Sequence, residues 1–124
     1  MRDIKFRGKR TDNGKWVCGF YIKDIWGDGE SCYIYYDCED YEVDPATVGE
    51  YTGLKDKNGV EIYEGDILRS SLGWVFPVEW DEENARYIGH VMRDGEWYVC
   101  YVGREPAAEV IGNVHDNPEL AKEA

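Results

Sequence analysis

The residues from Tyr51 to Arg69, YTGLKDKNGVEIYEGDILR, gather four carboxylates (Asp56, Glu61, Glu64 and Asp66) around two glycine turns. Carboxylates at such density are what calcium sites and acid–base pairs are made of. A calcium loop puts Asp or Asn at its first, third and fifth positions, Gly at the sixth and a bidentate Glu at the twelfth. Asp56 and Asn58 fill the first and third, but Val60, Glu61 and Ile67 stand where Asp or Asn, Gly and Glu are required. The stretch GLKDKNG is no phosphate loop either, because the second Gly is not followed by Lys and a hydroxyl residue. No nucleophile elbow surrounds Ser31, Ser70 or Ser71, and two histidines, His90 and His115, leave little material for a Ser–His–Asp or Cys–His arrangement. With 26 acids in the chain, carboxylate pairs arise by chance and spacing does not set their distances. By elimination the stretch reads as scaffold: turn glycines, a hairpin, and Asp66 at the entry to a strand.

Metal and disulfide chemistry fare no better. Cys18, Cys32, Cys38 and Cys100 include no C-x-x-C pair and neither histidine lies at ligand spacing from a cysteine, so no zinc site and no cofactor are expected. Free thiols are expected instead of a disulfide framework. Cys18 and Cys100 stand in alternating apolar runs and read as small buried hydrophobes.

The elements that carry these residues are strands. Ile4, Phe6 and Gly8 alternate with Lys5, Arg7 and Lys9, the latter three making a basic strand face. Asn13-Gly14 is a two-residue hairpin signal, and Trp16, Cys18, Phe20 and Ile22 then alternate on one face of a pleated strand. SCYIYYDC is a third strand, followed by an acidic stretch read as a loop. Asp44 caps and Pro45 opens one turn of helix. Asn58-Gly59, Glu64-Gly65-Asp66 and Asp94-Gly95 supply further turns, Pro77 pushes WVFPVEW toward an edge or bulge, and AEVIGNV is a last strand. Helix is predicted only at Asp81 to Ala85 and in the tail from Pro118. Short strands punctuated at this interval predict a mainly β protein, a small antiparallel barrel or roll with an N-terminal hairpin.

Composition bounds the rest. At 124 residues the chain is sized for a single domain, and 43% hydrophobic residues suffice for a core. The N-terminus lacks the apolar region of a signal peptide and no apolar run reaches membrane-spanning length, so a cytoplasmic protein with no membrane partner is expected. The formal net charge of -12 is uneven: residues 1–15 hold six Lys or Arg against Asp3 and Asp12, while nine carboxylates and no base lie between Lys23 and Lys55. Such a field disfavours direct nucleic-acid binding and favours solubility or a basic partner.

The stretches MRDIKFRGKR, GKWVCGFYI, VDPATVGEYTGLKDKNGVEIYEGDILR, VEWDEENARY and EVIGNVHDNPEL together resemble the YopX family of phage and prophage proteins. The resemblance implies one domain over 1–124: an N-terminal β subdomain (1–53) with an acidic insert at about 26–44, an SH3-like barrel (54–115) and a tail (116–124). It carries no established catalytic residues. Tyr51, Gly53, Lys55, Asp56, Gly59, Tyr63, Gly65 and Asp66 are its signature positions and the candidate interaction residues, with Lys5, Arg7 and Lys9 as a second, basic set.

A non-catalytic module that presents Tyr51, Tyr63 and neighbouring aromatics to a host or phage protein in the bacterial cell is the leading expectation. An acidic DNA mimic built on Asp37, Glu39, Asp40 and Glu42, or a nucleic-acid-associated protein, is the alternative, and a carboxylate-based enzyme the last. A homo-oligomer is also expected, the basic first strand pairing as an edge with an acidic surface of a second copy.

Overall fold

The computed structural model describes residues 3–23, 31–102 and 108–121. Twelve strands and one short helix occur among them: β1 (Phe6–Lys9), β2 (Trp16–Lys23), β3 (Cys32–Tyr36), β4 (Glu39–Val43), β5 (Gly49–Lys55), β6 (Glu61–Tyr63), β7 (Asp66–Arg69), β8 (Val75–Pro77), β9 (Glu79–Asp81), β10 (Arg86–Arg93), β11 (Glu96–Tyr101), β12 (Glu109–Asn113) and α1 (Pro118–Ala121). The chain is mainly β, as its periodicity predicts. Its contacts divide it at Tyr51/Thr52 into two compact units, with β5 running across the division.

In the first unit the strands lie in the order β4-β3-β2-β1-β5. The sheet rolls: Arg10 bridges Val43, Thr11 donates to the Glu42 carbonyl at 3.0 Å, and Asp44 donates to the Lys9 carbonyl at 2.9 Å. Inside the roll Cys32, Ile34 and Val43 are buried, with Phe6, Val17 and Val48 packed against them. The Asp44 carboxylate accepts the Ala46 N–H at 3.0 Å and caps a single 3-10 turn over Pro45–Thr47, the turn its sequence predicts. The Thr47 hydroxyl in turn accepts the Lys9 N–H at 2.9 Å, fastening this turn to β1.

Two local expectations are corrected here. The acidic stretch after β3 is strand β4 and not a loop, because Tyr41 and Val43 alternate with Asp40 and Glu42, Val43 packing in the roll and Tyr41 half-buried beneath the Arg10 guanidinium. Its two-residue turn is Asp37-Cys38, with φ of 52° and 68°, the doubly left-handed form that matches strand twist. The Asn13-Gly14 hairpin has a four-residue loop, since Arg10 pairs with the Lys15 carbonyl and only Gly14 takes positive φ.

The second unit holds two three-stranded antiparallel sheets, β12-β7-β8 and β11-β10-β9. They share a core of Ile62, Leu68, Phe76, Val78, Val91, Cys100 and Ala108, edged by Trp74, Tyr87, Val102 and Val110. Gly89 lies against the Phe76 ring so closely that a Cβ there would sit 2.0 Å from Cδ2. Pro77 ends β8 at a sheet edge as predicted, and Val78 breaks the run, donating to the Asp66 carbonyl at 2.8 Å before β9 enters the other sheet. That break divides the strands between sheets, so the expected barrel is not closed among the described residues. Of Asp81 to Ala85, predicted helical, Asp81 ends β9 and residues 82–85 are the β9–β10 turn, with Ala85 at φ 51°. The tail does start a helix, α1. No described helix is long and apolar enough to cross a membrane.

Candidate interaction surfaces

The signature block builds turns, with Tyr51, Tyr63 and Asp66 buried and Lys55 and Gly59 exposed. Tyr51 and Tyr63 are 5% and 4% exposed, which removes both from any surface offered to a partner. The Tyr51 ring lies under the Lys5 ammonium, 5.0 Å from the centroid, and its N–H donates to the Lys5 carbonyl at 2.9 Å. Tyr63 donates its hydroxyl to Glu61 at 3.2 Å, and its N–H donates to the Asp66 carboxylate at 2.8 Å. Asp66, 2% exposed, thereby closes the Glu64-Gly65 turn. Gly53, Gly59 and Gly65 all have φ near +80° to +92°, a backbone conformation that side-chain-bearing residues rarely adopt. Lys55 is exposed at the end of β5.

Asp56 is the hub of the block. Its Oδ1 accepts the N–H groups of Asn58 (2.8 Å) and Val60 (2.9 Å), and its Oδ2 accepts the N–H of Val110 on β12 (2.9 Å). Burial works to raise its pKa, but the three backbone donors outweigh that and hold it below the ordinary carboxyl value. Beside it Lys57 donates its N–H to the Ala108 carbonyl, while Glu109 pairs with Arg69 and Lys57. The loop therefore pins the start of β12. Among the described residues no cluster of three or more His, Cys, Asp or Glu could hold a metal ion.

Exposed aromatics lie elsewhere, on one sheet face in each unit. In the first, antiparallel register sets Arg7 opposite Cys18 and Lys9 opposite Trp16, and sets Phe20 opposite Tyr35 and Ile22 opposite Tyr33. Directly paired residues share a face. The basic row Lys5, Arg7 and Lys9 thus shares its side with Trp16, Cys18, Phe20, Ile22, Tyr33 and Tyr35. At β2 that side faces out, with Phe20 65% exposed, Ile22 43% and Cys18 exposed, while Lys5, Arg7, Lys9 and Trp16 are half-buried. The expected burial of Cys18 is corrected accordingly. The reason is what the roll encloses: Phe6 and Val17 pack with Cys32, Ile34 and Val43 on the other side, where a Cβ on Gly8 would meet Val43 at 2.9 Å and one on Gly19 the Tyr35 carbonyl at 2.2 Å. Arg7 and Lys9 lie over the Trp16 ring, at 4.6 Å and 5.8 Å from its centroid. β1 is an interior strand hydrogen-bonded to β2 and β5, so it offers no edge to a second copy.

In the second unit β10 and β11 send Val91 and Cys100 into the core and Met92, Trp97, Val99 and Tyr101 outward. Trp97 is 66% exposed, and Met92 and Val99 are about two-fifths exposed. Polar pairs border this patch. Arg86 binds Asp81 at 3.0 Å and lies over the Tyr101 ring, while His90 contacts Glu79 at 3.3 Å. Donation from the Asn84 amide, followed by Arg86, holds the Asp81 carboxyl below its ordinary pKa. Sequence reading finds β11 and its buried Cys100 but not this patch, because alternation does not say which side a neighbouring sheet covers.

The chain is similar to the crystal structure of protein EF1440 from Enterococcus faecalis, at 22% identity over 98% of this chain and 99% of that one, with a TM-score of 0.49. No curated protein matches it. The family model described as YopX protein matches residues 5–122, the same blocks that carry the turns and strands above, and the chain belongs to the YopX family.

Proposed function

We propose that this chain is a phage- or prophage-encoded accessory protein, a non-catalytic module that binds a host or phage protein in the bacterial cytoplasm. The observation that carries the reading is the outward apolar face of β10 and β11, where Met92, Trp97, Val99 and Tyr101 form one patch rimmed by Arg86–Asp81 and His90–Glu79. An aromatic and Met centre with a charged rim is the composition of protein interfaces, and Trp is the residue whose loss most often costs binding. The signature block supports the face from behind by fixing β12 and the core. Capture of partners from bacterial lysate, treated with nuclease, by the chain and by its Trp97→Ala variant tests this. A protein retained by the first and lost by the second supports the reading. Identical recoveries from both overturn it. Light scattering over a concentration series identifies a second copy as the occupant if mass doubles and Trp97→Ala abolishes the doubling.

A second reading has its own observation. Asp37, Glu39, Asp40 and Glu42 are all exposed on the ordered β3–β4 hairpin, which favours an acidic surface that engages a DNA-binding protein. Replacing the four with their amides then abolishes capture of that protein, and unchanged capture excludes the mimic.

A further inference from the structure

Among the described residues β4, β6, β8, β9, β11 and β12 stand at sheet edges, and all but β11 are blunted. β4 carries Glu39, Asp40 and Glu42, and β6 and β9 are three residues long. β8 is as short and ends in Pro77, and β12 has a bulge between Val110 and Gly112. Charge, shortness, proline and bulges are what keep an edge from pairing with another chain. β11 has one charge, Glu96 at its first position, and none of the other devices. It runs from Glu96 to Tyr101 without Lys, Pro or Gly, in unbroken register with β10. Trp97, Tyr98 and Val99 in its middle are all exposed.

The hairpin turn fixes which backbone groups face this edge. Asp94 and Gly95 take φ of 54° and 80°, the two-residue turn whose flanking pair, Arg93 and Glu96, is hydrogen-bonded. Bonding then alternates, so Glu96, Tyr98 and Cys100 turn N–H and C=O toward β10. The Val102 N–H continues that set, donating to the Tyr87 carbonyl at 3.4 Å. Trp97 and Val99 turn their backbone groups the other way, where no described strand pairs with β11. Their side chains lie on the outward face, and those of Glu96 and Tyr98 on the opposite one.

Electrostatics selects the occupant. Residues 52–124 hold 15 Asp or Glu against seven Lys or Arg. Glu96 is exposed and accepts the Tyr98 hydroxyl at 3.3 Å, while Arg93 on the same face is turned over the Trp74 ring. Two copies of a chain with net charge -12 repel one another, whereas a cationic segment is attracted. We propose that β11 takes up an extended basic segment of a partner protein as a fourth strand of the β11-β10-β9 sheet. Apolar residues of the segment lie beside Trp97 and Val99, and the bases between them lie beside Glu96 on the opposite face. Strand addition rests on the reading of β10 and β11 as the partner-binding face, and adds to it the backbone as the means of recognition and the chemistry of the partner.

The probe is a labelled, end-capped peptide of alternating Val and Lys, about eight residues long so that it spans β11, read by fluorescence anisotropy. It is expected to bind, and the alternating Val and Glu peptide is not. In antiparallel addition the Val N–H groups face β11, so N-methylation of every Val abolishes binding and N-methylation of every Lys leaves it; parallel addition reverses the two. Val99→Pro removes an N–H that β10 does not use, so the hairpin folds, as circular dichroism verifies. This variant weakens binding by about tenfold or more, the effect of one hydrogen bond lost with its partner left unpaired. Glu96→Gln weakens it about twofold to fivefold, as for one cross-strand charge pair. Failure of the Val and Lys peptide to bind, binding unmoved by Val99→Pro, or equal effects of the two methylation patterns overturns the proposal. In capture from lysate, a partner lost by Trp97→Ala but kept by Val99→Pro overturns strand addition alone, and one kept by both overturns the face as well. A doubled mass in light scattering that Val99→Pro abolishes assigns the edge to a second copy and overturns the basic partner.

Discussion

The Asp56 carboxylate accepts the backbone N–H of Val110 at 2.9 Å, joining the β5–β6 turn to a strand 54 residues further along the chain. One carboxylate thus closes its own loop through Asn58 and Val60 and registers β12 against it. This gives the TGLKDKNG block a folding role: its acid positions backbone, and its glycine supplies the left-handed residue of the turn.

Asp56→Asn is expected to destabilise the protein by about 1–3 kcal/mol, because the amide keeps one acceptor but turns a donor toward the Val110 N–H. The effect depends on acid. The folded carboxyl lies below its ordinary value of 3.8, so its contribution is present above that value and is lost as pH falls through the folded pKa. Melting curves between about pH 5 and pH 2 should therefore show the gap between the chain and Asp56→Asn narrowing toward the acid end. A gap that stays constant or widens contradicts the account.

Gly89→Ala is expected to cost at least about 1–3 kcal/mol, the range for overpacking a filled core, since the new methyl falls 2.0 Å from the Phe76 ring. Urea unfolding measures it. Adding Phe76→Leu to Gly89→Ala should recover part of the loss, and strict additivity of the two changes would show that the ring is not what the methyl meets.

Cys38 holds φ of 68° in a turn whose form suits glycine. Cys38→Gly relieves a left-handed strain of about 1–2 kcal/mol while adding some backbone entropy to the unfolded chain, so a net gain of about 0.5–1 kcal/mol is expected. A lower melting temperature for this variant would show that the turn is not of this form.

Thiol reactivity separates the two faces of the first unit. Cys18 and Cys38 are exposed, and Cys32 and Cys100 are buried. Titration of the native protein with a thiol reagent should therefore show two fast groups and two that react only on unfolding, with Cys18→Ser removing one fast group. A slow Cys18 would place the apolar side of β2 inside, contrary to the structure.

Much of the architecture was legible along the chain. Asp94-Gly95 and Glu64-Gly65-Asp66 mark turns because few residues other than Gly, Asp or Asn tolerate left-handed backbone, and these turns occur where they are predicted. Asp44-Pro45 likewise carries its cap in its own chemistry. Asp37-Cys38 was hidden because Cys carries no turn signal, and β4 because its acids mask the Tyr41 and Val43 alternation. Asp81 to Ala85 carries helical propensity, which does not register that Tyr87 pairs with Trp80.

What the sequence determined by itself is local: strand periodicity, turn chemistry, the basic row of Lys5, Arg7 and Lys9, and the family motif. Tertiary structure decided which side is inside. Alternation makes Trp16, Cys18, Phe20 and Ile22 one face, yet only the packing of Phe6 and Val17 with Cys32, Ile34 and Val43 on the other side makes it the outer one. In the same way, Tyr51 and Tyr63 are candidate surface rings in sequence and core rings in the fold, because burial is a property of what packs on a residue, and the strands that pack are distant in the chain.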